Sequence, residues 1–280
     1  MAGSQGSALA IAVCKAGGVG SLPCAMLSLE AMRAEILAIQ AATDRPYNVN
    51  FFCHALENLR PPMVSFHFGL PSPELVDRIK KMGAQILSTA TTVEEARWLE
   101  ARGVDRIIAQ GVEAGGHRGM FLTDDVTTQL GTMALLPRII DAVRVPVIAA
   151  GGIADARGVK AARALGAAGV QVGTAYLSCI EATTSAVHRA ALAAPHHTAL
   201  TNIITGRPGR GIVNRVMREL GPIRADVPSS RAPRSLWRRC AQRRRSWAKV
   251  ISSRCGPGRT SARTRTCRPP RSPARSRQSN

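Results

Sequence analysis

The chain has 280 residues, 45% of them hydrophobic, enough for one large α/β domain or two small ones around a sizeable core. Its formal net charge of +20 suggests a nucleic-acid partner until the charge is located: 16 of the 38 Lys and Arg residues lie in 227–280, where there is no Asp or Glu, so residues 1–226 carry only +4. The N-terminus shows no basic segment running into a long apolar stretch, and no segment has the length of a membrane span, which excludes the usual secretory and membrane classes and predicts a cytoplasmic protein.

In chain order, short β-rich runs alternate with longer helical patterns, as in βα repetition around a parallel sheet. The predicted strands are residues 19–22, 48–52, 63–68, 84–89, 106–110, 146–150 and 169–173. Between them Ser72-Pro73-Glu74, Thr91-x-x-Glu94 (a capping box) and Asp155 give helix starts, and Gly83, Gly103 and Gly166 give stops. Seven βα units predict a (β/α)8 TIM barrel with one strand unaccounted for. That strand is either 199–204 or a segment before Met1. The second placement is preferred, because residues 1–6 read as the loop after a strand and residues 7–16 as the helix that follows it. The expectation is a barrel lacking its first strand.

Candidate site residues cluster at the predicted strand ends, where parallel α/β folds place their chemistry. Residues 110–119 read Gln-Gly-Val-Glu-Ala-Gly-Gly-His-Arg-Gly. Gly115 and Gly116 let the backbone approach a flat or anionic ligand, and they set His117, an imidazole able to exchange a proton near neutrality, at the end of a strand. Two later strands also end in glycine, at Gly151-Gly152 and at Gln171-Val172-Gly173-Thr174. With a helix N-terminus behind them, such turns predict a phosphate cradle. Asn50 and Gln110 are amides at strand ends, suited to a heteroaromatic ring. His67, which shares a strand face with Ser65, is a second and weaker histidine candidate. No Ser-His-Asp order and no G-x-S-x-G elbow is present, which argues against a hydrolase. The glycines at 17, 18 and 20 precede a strand instead of following one and do not form a dinucleotide fingerprint. The seven cysteines, at 14, 24, 53, 179, 240, 255 and 267, show no C-x-x-C pair or zinc spacing, so they are read as unpaired thiols and no metal is expected.

From about Ser229 onward Arg, Ser and Pro dominate and apolar periodicity vanishes, so residues 227–280 are expected to form no core. Three readings stand: a nucleic-acid-binding tail, a disordered linker, or out-of-frame translation of a GC-rich gene. Shifting the reading frame across residues 254–259 allows Leu-Trp-Ala-Gly-Gln.

The segments 16–22, Asn48-Val49-Asn50, 64–69, 110–119, 149–153 and 171–175, in this order, resemble the nitronate monooxygenases, formerly 2-nitropropane dioxygenases, over about residues 1–225. The resemblance implies an FMN-dependent (β/α)8 barrel that oxidises alkyl nitronates, and in some members neutral nitroalkanes, with dioxygen. It implies FMN contacts from Asn50, Gln110, Gly115, Gly152, Gln171, Val172, Gly173 and Thr174, with His117 as the catalytic residue. Family members begin with a strand leading into Gln-Ala-Pro-Met-Ala-Gly and end in a segment containing Leu-Trp-Ala-Gly-Gln. By that comparison the chain reads as a barrel unit, 1–226, without its first strand, followed by a frameshifted tail, 227–280. The flavin-dependent enoyl-[acyl-carrier-protein] reductases share a similar Glu-Ala-Gly-Gly-His element, and they are the alternative enzyme reading. A small-molecule substrate is the expected partner, with nucleic acid disfavoured despite the tail.

Overall fold

The computed structural model describes residues 4–24, 27–51 and 59–227. Its elements are α1 (Ser7–Lys15), β1 (Gly20–Pro23), α2 (Leu29–Ala42), β2 (Tyr47–Phe51), β3 (Met63–Phe66), α3 (Pro73–Lys81), β4 (Gln85–Ala90), α4 (Val93–Glu100), β5 (Arg106–Gln110), β6 (Gly116–His117), α5 (Thr132–Ala142), β7 (Val147–Ala150), α6 (Ala156–Ala164), β8 (Gly169–Gln171), α7 (Ala186–Ala193), β9 (Thr198–Thr201), β10 (Gly209–Ile212) and α8 (Arg215–Leu220).

A seven-stranded sheet runs β1-β2-β3-β4-β5-β7-β8, every neighbouring pair parallel. It curls into a TIM-type half-barrel. Alternation along the strands sorts the two faces. Leu22, Val49, Val64, Ile86, Ile107 and Val147 join Ile36, Ile39, Ile79, Leu99, Leu135 and Ile139 in the main core, between sheet and helices. Each fully buried Ile or Leu there contributes about 1.5–3 kcal/mol. The inner face is apolar only in part: Leu87, Ile108 and Ala150, with Met63 and Ile148, form a small cluster, while Ser21, Asn48, Asn50 and Ser65 make the β1–β3 end polar.

All seven predicted strands are present, with differences at their ends. β3 stops at Phe66 because Phe68 takes a left-handed backbone, φ 68°, which turns the chain out of the sheet. β8 stops at Gln171, and Gly173 leads into a 3₁₀ turn, Thr174–Ser178. Residue 52, predicted to end the second strand, lies outside the described residues. The alternative placement of a barrel strand at 199–204 is corrected: β9 pairs antiparallel with β10, and β10 with β6, in a separate three-stranded sheet. The half-barrel therefore has β1 and β8 as its two edges among the described residues.

The predicted capping box also shifts. Thr92, not Thr91, is the N-cap of α4 and accepts from Glu95 N. The Glu95 carboxylate instead accepts from the N–H and hydroxyl of Thr91 and from the N–H groups of Phe121 and Leu122. It staples α4 to the segment that follows His117. Asp155 caps α6 as predicted, through Arg157 N and Gly158 N. The basic tail from residue 228 onward lies outside the described residues.

Candidate active site

The C-terminal end of β5 builds the site. Gly111 N continues the ladder to Ala150 O, and a Cβ on Gly111 would stand 2.0–2.5 Å from Thr132, so only glycine lets the strand end meet the start of α5. Glu113 then secures that start, accepting from Thr132 N and Oγ1 at 2.9 Å each. The loop turns through Gly116, φ 83°, and enters β6, where His117 pairs with Gly209 and Gly116 with Arg210 of β10. Arg210 Nε also donates to Val112 O at 2.8 Å. The small sheet thus holds the loop from above.

Arg118 holds it from below. Its side chain is 1% exposed, and its guanidinium donates to Gly111 O and Gln110 O at 2.6 Å each and to Gln129 Oε1 at 2.8 and 3.0 Å. Burial, then the nearby Arg210 charge, brings its pKa down to about 10, so it stays a cation at neutral pH. Beside it the Gln110 amide donates to His117 O at 3.0 Å and accepts from Gly119 N at 2.8 Å. Gln110 therefore braces the histidine loop with one proton and one lone pair, leaving one of each for a ligand.

His117 keeps an exposed edge, and its Nε2 lies 2.8 Å from Thr205 Oγ1. Phe68 stands edge-on to its ring with centroids 6.2 Å apart, and the Arg207 guanidinium lies 4.2 Å over the Phe68 ring. Desolvation by these neighbours, and then the charge of Arg207, hold the His117 pKa below the usual histidine value. His67 has a different part. Its Nε2 meets His117 O at 3.3 Å, a group that only accepts, so Nε2 carries the hydrogen and Nδ1 takes one from Thr89 Oγ1 at 3.1 Å. Both nitrogens are engaged and burial pushes its pKa down to about 4, so His67 latches the His117 backbone and has no lone pair to spare for substrate.

The other predicted residues fall into two groups. Gln110, Ala150 and Gln171 stand in register across β5, β7 and β8, so the glycine turns after these strands share one rim. A Cβ on Gly115 would lie 2.8 Å from Thr174 Oγ1, which brings the Gly115 turn against Gly173-Thr174, and one on Gly152 would lie 3.4 Å from the Cβ of Glu113, two residues before Gly115. The N–H groups of Gly152, Gly173 and Thr174 find no acceptor among the described residues. That is the donor set an anionic phosphate needs. The Asp155 carboxylate occupies the start of α6, while the 3₁₀ turn Thr174–Ser178 begins behind Gly173 with no side-chain cap. Val172 is half-buried beside Gln171, which is exposed.

Asn50 stands apart, on β2, where its Nδ2 donates to Ser65 Oγ at 2.9 Å. Next to it Asn48 donates to Ser21 and Ser65, each at 2.8 Å, while its buried Oδ1 has no partner among the described residues. An orphaned acceptor costs about 1–3 kcal/mol, which a ligand N–H or O–H in the barrel interior relieves. Sequence reasoning missed Asn48, although its spacing of two from Asn50 places both on one strand face. It also missed Thr205, Phe68 and Arg118 as parts of the site. No local motif marks Thr205, whose contact with His117 is made through the fold. Among the described residues no cluster of His, Cys, Asp or Glu has metal-binding geometry.

The family model described as nitronate monooxygenase matches residues 1–59 and 53–236. The chain belongs to the nitronate monooxygenase family. It is 39% identical over 263 aligned residues to the nitronate monooxygenase of Paraburkholderia phytofirmans, covering 76% of this chain and 72% of that protein. The structure of nitroalkane oxidase from Streptomyces ansochromogenes superposes with a TM-score of 0.79 at 35% identity, covering 89% of this chain and 84% of that one. FabK from Thermotoga maritima follows with a TM-score of 0.67 at 31% identity, covering 79% and 71%. The family consists of flavin-dependent oxidoreductases. The donor-lined glycine rim and the orphaned Asn48 acceptor fit a phosphorylated flavin. Among the described residues no helix is long and apolar enough to cross a membrane.

Proposed function

We propose that this chain binds FMN and oxidises alkyl nitronates, and neutral nitroalkanes, with dioxygen. FMN phosphate is assigned to the Gly152, Gly173 and Thr174 N–H groups beside Gly115, with Gln171 and Val172 alongside. The ring and ribityl chain are assigned to Gln110, Asn50 and the unsatisfied Asn48. When bound, FMN supplies the one-electron chemistry that joins substrate to dioxygen. The protein's own part is proton transfer and orientation. The observation that carries this reading is the exposed imidazole of His117, held through its backbone carbonyl by Gln110 on the rim that bears the free donors. A nitroalkane α-proton passes to that imidazole, the C–H electrons move into the carbon–nitrogen bond, and the negative charge settles on the nitro oxygens. Such a positioned base contributes about 10²–10⁴ in rate.

Replacing His117 by Asn should leave FMN content unchanged and lower turnover of neutral nitroalkanes at least about 100-fold, while turnover of the preformed nitronate changes far less. Unchanged nitroalkane turnover removes His117 from the base role. The enoyl-reductase alternative requires NAD(P)H, so anaerobic bleaching of the flavin by NADH without a nitro compound decides for it. Cys14 and Cys24 are buried free thiols, which suits a reducing cytoplasmic setting.

A further inference from the structure

The His117 imidazole depends on a residue outside the half-barrel. Thr205 lies in the turn between β9 and β10, and its Oγ1 is 2.8 Å from His117 Nε2. The same hydroxyl donates to Arg207 O at 3.3 Å. A hydroxyl has one hydrogen to give. Placing that hydrogen on the carbonyl, which can only accept, makes Oγ1 the acceptor of a hydrogen from His117. Nε2 then bears the hydrogen, and Nδ1, which has no hydrogen-bond partner among the described residues, bears the lone pair.

The turn is fixed in its own right. Gly206 N donates to Asn202 O at 2.8 Å, Arg118 N donates to Pro208 O at 2.9 Å, and Arg207 lies over the Phe68 ring. Phe68 in turn is held in a left-handed conformation, a costly state for an aromatic residue that persists only where its surroundings enforce it. The titratable and charged groups facing His117 are His67 after β3, which is neutral and latched to the His117 carbonyl, and Arg207 before β10. The neighbouring Arg118 directs its charge into the β5 loop.

We propose that Thr205 is a positioning residue for the reaction: its hydroxyl fixes His117 as the Nε2–H tautomer and so presents Nδ1 as the proton acceptor. This rests on the reading of His117 as the base. In the step itself the substrate α-C–H bond breaks, an Nδ1–H bond forms, and the electron pair remains on the substrate as the nitronate. The imidazolium produced keeps its Nε2–H on Thr205.

The test compares Thr205→Val, Thr205→Ser and His117→Asn in the full chain. Ring-nitrogen NMR shifts of histidine-labelled protein report the tautomer without any turnover, and kcat/KM is measured across pH for a neutral nitroalkane and for its preformed nitronate. The wild type should show Nε2–H at His117. Thr205→Val should show a mixture of tautomers, a nitroalkane kcat/KM lower by about 10- to 100-fold, and a shifted acid limb, while the nitronate value stays within about threefold. Thr205→Ser should restore all of these. An Nδ1–H tautomer in the wild type overturns the proposal, even if Thr205→Val fails to fold, and so does full nitroalkane turnover by Thr205→Val. If His117→Asn leaves nitroalkane turnover intact, the base reading fails instead. Loss in His117→Asn together with normal turnover in Thr205→Val refutes the Thr205 proposal alone.

Discussion

Two charged or chargeable groups beneath the His117 loop are buried, and each has an energetic consequence that can be measured. Arg118 gives its hydrogens to two backbone carbonyls and to Gln129, with no carboxylate in direct contact, so it acts as a multi-dentate brace and not as half of an ion pair. Arg118→Met should strand the Gln110 and Gly111 carbonyls and cost about 3–5 kcal/mol in denaturant unfolding, with flavin lost alongside. His67 behaves oppositely, since burial pushes its pKa down to about 4, well below the ordinary histidine range. The unfolded chain takes a proton that the folded chain refuses, so this contribution to stability is complete above about pH 6.5 and is lost as pH falls toward about 4. Wild type should lose about 2 kcal/mol between pH 7 and pH 5 from this residue, and His67→Gln should lose correspondingly less. Little of this was legible in the sequence. His117 and Gln110 stand out because glycines and a strand end flank them, whereas Arg118 is a plain surface-type residue until the fold surrounds it with carbonyls.

Strands and helices were easier to read than their ends. The short β-rich runs identify all seven barrel strands, because each must bury one face against the helices. What stops β3 and β8 is local backbone geometry at Phe68 and Gly173, which periodicity does not encode. The α4 cap shows the same limit: Thr91 and Thr92 are equivalent as text, and the choice follows from Glu95, drawn inward to bind Phe121 and Leu122. Glu95→Gln would turn an amide hydrogen toward N–H and hydroxyl donors. It should cost about 2–4 kcal/mol and loosen the segment after His117, as seen by faster amide exchange at Phe121 and Leu122. The three-stranded β6-β10-β9 sheet escaped the sequence reading because β6 has only two residues, Gly116 and His117, and no period can be seen in two residues.

Across the whole molecule, stability should grade from the middle of the large sheet to its margins. Among the described residues β4 and β5 each have strand neighbours on both sides, whereas β1 and β8 have one each. Amide exchange should therefore be slowest in β4 and β5 and fastest in β1 and β8; equal protection throughout would show that the two margins are covered in solution. We propose residues 1–226 as the cofactor-binding unit, although the family match runs on to residue 236. Chains ending at 226 and at 236 should retain equal flavin, and loss in the shorter chain alone moves the boundary. The pairing of His117 with Gly209, and its bond to Thr205, also carries a meaning in time. A ribosome finishes the histidine loop long before it makes the turn that steadies it, an interval on the order of 5–20 s at typical rates of synthesis. The nascent half-barrel passes through that interval with His117 unheld, and the histidine loop is fixed only when the small sheet closes.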